Sequence, residues 1–105
     1  PLLGQHHQFH HYNPGKSDWG EKRYFEIAKS IYKDLDERLA KSKFLAGEYS
    51  IADIATFPWI ARHDWHDIGL KNFKNLSRWY DDISKREAVI KGYDILNRDE
   101  RIPTL

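Results

Sequence analysis

Gly47-Glu48-Tyr49-Ser50-Ile51-Ala52-Asp53-Ile54-Ala55-Thr56-Phe57-Pro58-Trp59 reads as a complete helix start. Ser50 stands at the N-cap, its side-chain oxygen free to accept from the backbone N–H of Asp53. Asp53, three residues on, reaches back to the N–H of Ser50, so two orphan donors are satisfied reciprocally. Tyr49 and Ile54 then occupy the two positions that a hydrophobic staple joins. The Asp53 carboxylate also lies in the first turn, where the helix dipole favours negative charge. The helix predicted from this start covers 51–66 and is apolar almost all round in its first half, the pattern of a buried helix. Pro58 removes the bond to the Ile54 carbonyl at a cost of about 3 kcal/mol, which predicts a kink. Beyond it, Arg62-His63-Asp64-Trp65-His66-Asp67 is amphipathic, and His63 and His66 are expected at the surface or in a cleft.

Two further stripes flank this helix. Tyr24, Ile27, Ala28, Ile31, Leu35 and Leu39 recur at helical spacing and predict a helix over 21–41. Asp34 and Arg38 form a favourable acid-before-base pair on it. Gly47 is placed for the loop that follows, and Gly69 breaks the pattern after the central helix. Phe73, Leu76, Trp79, Tyr80 and Ile83 give a second clean stripe, with Lys85 and Arg86 in its last turn. Ala88, Val89, Tyr93 and Leu96 predict a final helix to about Asn97, followed by an extended polar end from Arg98 to Leu105.

Residues 1–20 are the irregular part, with Asn13-Pro14-Gly15 as a strong turn signal. His6/His10 and His7/His11 are both i,i+4 pairs, a spacing at which two imidazoles on one helix face converge on a metal. No third ligand stands at a defined offset and no His-Glu-x-x-His occurs, so the favoured reading is an exposed polar helix end and no metal site.

A chain of 105 residues is one domain, and a 14% aromatic share with four tryptophans supplies a core. Charged residues make up 31% and nearly cancel to +1, and no basic stripe carries interleaved exposed aromatics; nucleic acid is not an expected partner. No apolar run of about 18 residues is present to span a membrane. The absence of cysteine excludes disulfides, zinc–thiolate sites and a cysteine nucleophile within this chain, and fits a cytoplasmic protein. None of the serines sits in a Gly-x-Ser-x-Gly context, and no Gly-rich phosphate loop occurs. The sequence opens at Pro1 without an initiator Met, and the expectation is a piece of a longer protein.

Phe44-Leu45-Ala46-Gly47 followed by Tyr49-Ser50-Ile51-Ala52-Asp53-Ile54-Ala55 resembles the capped core helix of the C-terminal domain of cytosolic glutathione transferases. Pro1-Leu2-Leu3-Gly4-Gln5-His6-His7-Gln8-Phe9 is similar to the end of that domain's first helix in one branch, the bacterial nu-class enzymes and their yeast nitrogen-regulator relative. Asn or Ala is more usual there at the position of His6 or His7. Asn72-Phe73-Lys74-Asn75-Leu76-Ser77-Arg78-Trp79 and Arg86-Glu87-Ala88-Val89 resemble two further family segments, with Lys74 and Glu87 where Pro is usual. Both lie at helix starts, where Pro is a convenience and not a requirement.

The resemblance implies an all-α helical bundle over residues 1–105 that begins partway along its first helix. A thioredoxin-like N-terminal domain, with the thiol-activating residue, would lie outside this chain. It implies glutathione as co-substrate, a small electrophile or disulfide as the other partner, and a homodimer; no tightly bound cofactor and no catalytic residue in this chain are expected. Ser50, Asp53, Tyr49 and Ile54 are folding residues on this reading. Arg23, followed by Tyr24, matches an Arg whose fork lies near bound glutathione; such a fork pairs bidentately with a carboxylate. His6, His7, Phe9, Trp59 and Trp65 would line or approach the substrate cleft, although Phe57 and Trp59 read first as core from their spacing. The alternative is a non-catalytic interaction module of the same fold, as in translation factors, synthetase complexes or a regulatory protein, with Arg23 incidental.

Overall fold

The computed structural model describes residues 1–95 and 101–105, and these contain six α-helices, one π-helical turn and one 3-10 turn. The helices are α1 (Leu2–His6), α2 (Asp18–Lys41), α3 (Ile51–Ile60), α4 (His63–His66), α5 (Lys74–Ser84) and α6 (Glu87–Tyr93). The π-helical turn, His7–Tyr12, follows α1 without a break, and the 3-10 turn spans Leu70–Asn72. Among the described residues the only β-type pairing is two isolated bridges in the turn before α3. The chain is therefore all-α, as the periodicity implies.

The long helix α2 is the spine, packing against α1, the π-turn and α5. It starts earlier than the stripe predicts, because Ser17 caps it: the Ser17 hydroxyl accepts from the Gly20 N–H at 3.0 Å. Its core-facing residues include Ala28 and Leu39 and also Tyr32, which is fully buried. Arg38 turns away from Asp34, with which it makes no ion pair among the described residues, and donates to the Leu45 carbonyl at 2.8 Å.

Helices α2 and α5 cap one another. Phe73 at the N-cap of α5 has no oxygen to offer; Asp36 on α2 accepts from the N–H groups of Asn75 and Leu76 at 2.8 and 2.9 Å. In return Arg78 on α5 donates to the carbonyls of Leu39, Ser42 and Lys43 at the end of α2. Acid at a helix start and cation at a helix end are the pairings the macrodipole favours. Leu76, Trp79, Tyr80 and Ile83 on α5 are all buried, and with Tyr32, Phe57 and Ile60 they form the core. Lys74 and Glu87 are the first residues of α5 and α6, so the two departures from Pro fall where a proline is dispensable. Leu96 and Asn97, expected in the last helix, lie outside the described residues, as does the segment from Arg98 to Glu100.

The capped helix start is present. Ser50 accepts from Ala52 at 3.2 Å within a capping box, and its own N–H donates to Asp53 Oδ2 at 3.0 Å. The helix itself departs from expectation in two ways. It ends at Ile60, shortly after Pro58, and a turn separates it from α4, so 51–66 is two helices and not one. It is also half exposed: Phe57 is buried, but Ile51 is 82% exposed, Ile54 54% and Trp59 43%. An apolar run measures attraction to oil and does not name the neighbour, and among the described residues nothing covers that face. Tyr49 packs on Phe44 and under the Arg86 guanidinium, while its expected staple partner Ile54 faces outward.

Removing the cap that α2 supplies to α5 isolates this cross-helix interaction. Asp36→Ala is expected to lower unfolding free energy by about 1–2 kcal/mol in urea denaturation, and a change below about 0.3 kcal/mol would show that solvent serves the α5 terminus equally well.

Candidate functional site

The π-helical turn organises the surroundings of the residues expected from the sequence to bind glutathione or line a cleft. Its i→i+5 bonding, seen in Asn13 N–H donating to the Gln8 carbonyl at 3.0 Å, widens the helix and redistributes its side chains over more than one face. The expectation of an irregular N-terminal segment is corrected: residues 2–12 are helical throughout.

One flank faces α2. Phe9 stacks on Tyr24 with ring centroids 5.5 Å apart and planes within 9°. Gly20 makes this possible, since a Cβ there would stand 2.6 Å from the Phe9 ring. Beside this stack the Arg23 guanidinium lies 5.4 Å from the Trp19 ring centroid and 6.0 Å from that of Tyr24. Arg23 is exposed and makes no ion pair among the described residues. A planar cation held against aromatic rings with its donors unspent is prepared for an anion.

The other flank faces α3 and α4. Trp65 stacks on His11 at 4.0 Å and meets Tyr12 and His7 edge-on, while Arg62 lies 4.6 Å over its ring. Trp59 approaches His7 at 5.7 Å. These rings make one aromatic wall with a guanidinium on its rim.

Under the turn the histidines are interlocked. His6 Nε2 donates to the His66 carbonyl at 2.7 Å, His7 Nε2 meets His66 Nε2 at 2.7 Å, and the Tyr32 hydroxyl meets His66 Nδ1 at 2.5 Å. His6 and His66 have no exposed surface, and His7 and His63 are 8% exposed. Burial depresses the basicity of all three clustered imidazoles, His66 furthest, to about 3, helped there by the neighbouring rings of His7, His6 and His63. Burial also raises the Tyr32 phenol above its ordinary value. The cluster is thus neutral at pH 7, and no group of three or more ligating side chains among the described residues is arranged for a metal.

Of the residues named for a cleft, Phe9, Trp59 and Trp65 border the two flanks. His6 and His7 are a correction: they are internal struts and not an exposed polar end, because each finds a hydrogen-bond partner on α4. His63 and His66 are likewise internal and not at the surface. The sequence reading gave no role to Trp19, Arg62 or Tyr32, and it offered His11 only as half of a histidine pair. Trp19–Arg23 and Arg62–Trp65 stand at i,i+4 and i,i+3, a helical-neighbour signal that was there to be read. The Tyr32–His66 and His6–His66 contacts join residues 34 and 60 positions apart, and no local pattern announces them.

A recess of about 610 Å³ lies between α5, α6 and residues 101–105 and contains none of these side chains. Lys71 and Arg101 on its lining are matched by Asp81 and Asp94, so no unbalanced charge points to a ligand class. The π-turn, with two aromatic flanks and on each a guanidinium that makes no ion pair among the described residues, is the better supported site.

The family model described as glutathione S-transferase, C-terminal domain, matches residues 20–87. The chain is 37% identical over 90 residues to the disulfide-bond oxidoreductase YfcG of Escherichia coli, covering 85% of this chain and 42% of that protein. It is 36% identical over 107 residues to YghU, a second disulfide-bond oxidoreductase of Escherichia coli, covering 92% of this chain and 36% of the relative. A glutathione S-transferase domain-containing protein of Dictyostelium discoideum is 31% identical over 93 residues, with 85% and 36% covered. The chain thus spans well under half the length of the curated relatives it matches. It belongs to the glutathione S-transferase C-terminal domain family.

Proposed function

We propose that this chain is the helical half of a glutathione-dependent enzyme of the disulfide-reductase type, in the nu-class branch of the family. The observation that carries the reading is the exposed, unpaired Arg23 guanidinium seated against Trp19 and Tyr24 beside the Phe9 stack. On this reading Arg23 pairs with a carboxylate of glutathione, and Phe9, Trp59 and Trp65 supply the apolar border of the pocket for the disulfide or electrophile. His6 and His7 hold that border in place from beneath. The described residues offer no nucleophile–base set. The thiol is therefore activated by a thioredoxin-like domain elsewhere in the longer protein. Reaction proceeds by attack of the glutathione thiolate on one sulfur of the disulfide, forming a mixed disulfide and releasing the other sulfur as thiolate. A cytoplasmic homodimer is part of the proposal; no helix among the described residues is long and apolar enough to cross a membrane.

A second reading, a non-catalytic assembly module, has its own observation. Leu2, Leu3, Ile31, Leu35, Ala55 and Trp59 line an apolar groove of about 330 Å³ beside exposed Ile51 and Ile54. A surface of this kind serves assembly in an enzyme and in a scaffold alike.

Steady-state kinetics of the full-length protein with a small dialkyl disulfide separates the two. Arg23→Ala is expected to raise the KM for glutathione about tenfold, with Arg23→Lys between the variant and wild type, because a point charge replaces a fork. An unchanged KM would remove Arg23 from the glutathione site, and no turnover in the wild type would favour the assembly module.

A further inference from the structure

Donors and acceptors in the buried imidazole cluster fix one another. The His66 carbonyl only accepts, so His6 Nε2 carries the proton and the bare nitrogen of the neutral ring is Nδ1. That Nδ1 is buried with no partner among the described residues. Between His7 and His66 one Nε2 must donate and the other accept. A phenol is the stronger donor, so the chain runs from the Tyr32 O–H to His66 Nδ1 and from His66 Nε2–H to His7 Nε2. The same set holds the turn onto α4, since the His66 carbonyl belongs to the last turn of that helix and His6 satisfies it.

Protonation works against this arrangement. On His6 the proton goes to Nδ1, where no acceptor waits. Once both His7 and His66 are charged, two N–H donors face each other across 2.7 Å. We propose that the His6–His7–His66 cluster is a proton-operated latch, which holds residues 1–12 on α4 when neutral and releases them as it takes up protons. The helical core of α2 and α5 stays folded. Release would lift His11 and Tyr12 from Trp65 and His7 from Trp59, dismantling the aromatic wall. The latch does not depend on glutathione being the ligand.

The charged and titratable neighbours on every packed element are consistent with release on acidification. His10 and His11 from the π-turn, and Arg62 and His63 from the α3–α4 side, oppose added positive charge in the cluster. Asp64 lies further out, against His63. Glu21 on α2 and Asp67 after α4 favour it, but both face His10, at 3.6 and 3.4 Å. These contacts reach solvent, where salt screens them. The His66 carbonyl also favours a cationic His6, a smaller effect than burial. Because the folded basicities are depressed, the cluster stabilises fully above the free-imidazole value of about 6.5. That stabilisation is lost as pH falls below it.

Amide hydrogen exchange on the full-length protein at about pH 7.5 and about pH 5.5, corrected for intrinsic rates, reads the latch directly. Residues 5–12 are expected to lose about tenfold or more in protection, with α5 changing less than about twofold. His6→Gln combined with His7→Gln removes two titrating rings and is expected to flatten the dependence below about threefold. Ring nitrogen shifts of His66 in the wild type, which require no variant, should remain those of a neutral ring wherever protection persists. Equal loss in α5, constant protection in residues 5–12, an unchanged dependence in a folded double variant, or ring protonation with protection intact overturns the latch.

Discussion

The structure depends on how one buried carboxylate is satisfied. Asp53 is fully buried, and its two oxygens accept from three donors on three different segments. Oδ2 takes the Ser50 N–H and closes the capping box; Oδ1 takes the Leu45 N–H at 3.1 Å and the Trp79 indole N–H at 2.8 Å. A carboxylate taken out of water is costly unless such donors surround it. Each donor is thus fixed by the same requirement: the turn before α3, the start of α3, and α5 through its largest core side chain. Trp79 in turn needs a buried acceptor for its only polar atom, so the two residues solve each other's problem.

From that hub the site follows by packing. With α3 pinned against α5, Pro58 and the early end of α3 set the direction of the short helix α4. His66 is thereby brought inward beneath the π-turn, where His6, His7 and Tyr32 seize it. The aromatic wall is then the outer surface of an internal hydrogen-bond chain, and Trp59, Trp65 and His11 keep their places because the neutral imidazoles below them do. On the proposed reading function and stability are joined at this point, because the residues that border the pocket are held by buried imidazoles.

Much of the fold was legible because its signals are local. The stripes of α2 and α5 recur at helical spacing, and the capping box spans four residues, so both can be read along the chain. What stayed hidden involves partners far apart in sequence. Asp36 caps α5 from 39 positions away, and His66 receives side chains from both α1 and the π-turn. The i,i+4 histidine pairs were visible, but their spacing is equally that of a metal face, a solvated face and a strut. Only the neighbours decide between these. Ile51 and Ile54 mislead for the converse reason: their apolarity is real, and the described residues leave their face uncovered.

A double-mutant cycle of Asp53→Asn and Trp79→Phe, followed by urea denaturation, tests the hub most directly. Asn keeps the shape of Asp but has one acceptor oxygen for three donors, and Phe removes the indole N–H. The account predicts that the two losses are coupled by about 1–3 kcal/mol, each variant having already broken the shared bond. Additive losses, with a coupling below about 0.3 kcal/mol, would contradict it and return the organisation of the bundle to apolar packing alone.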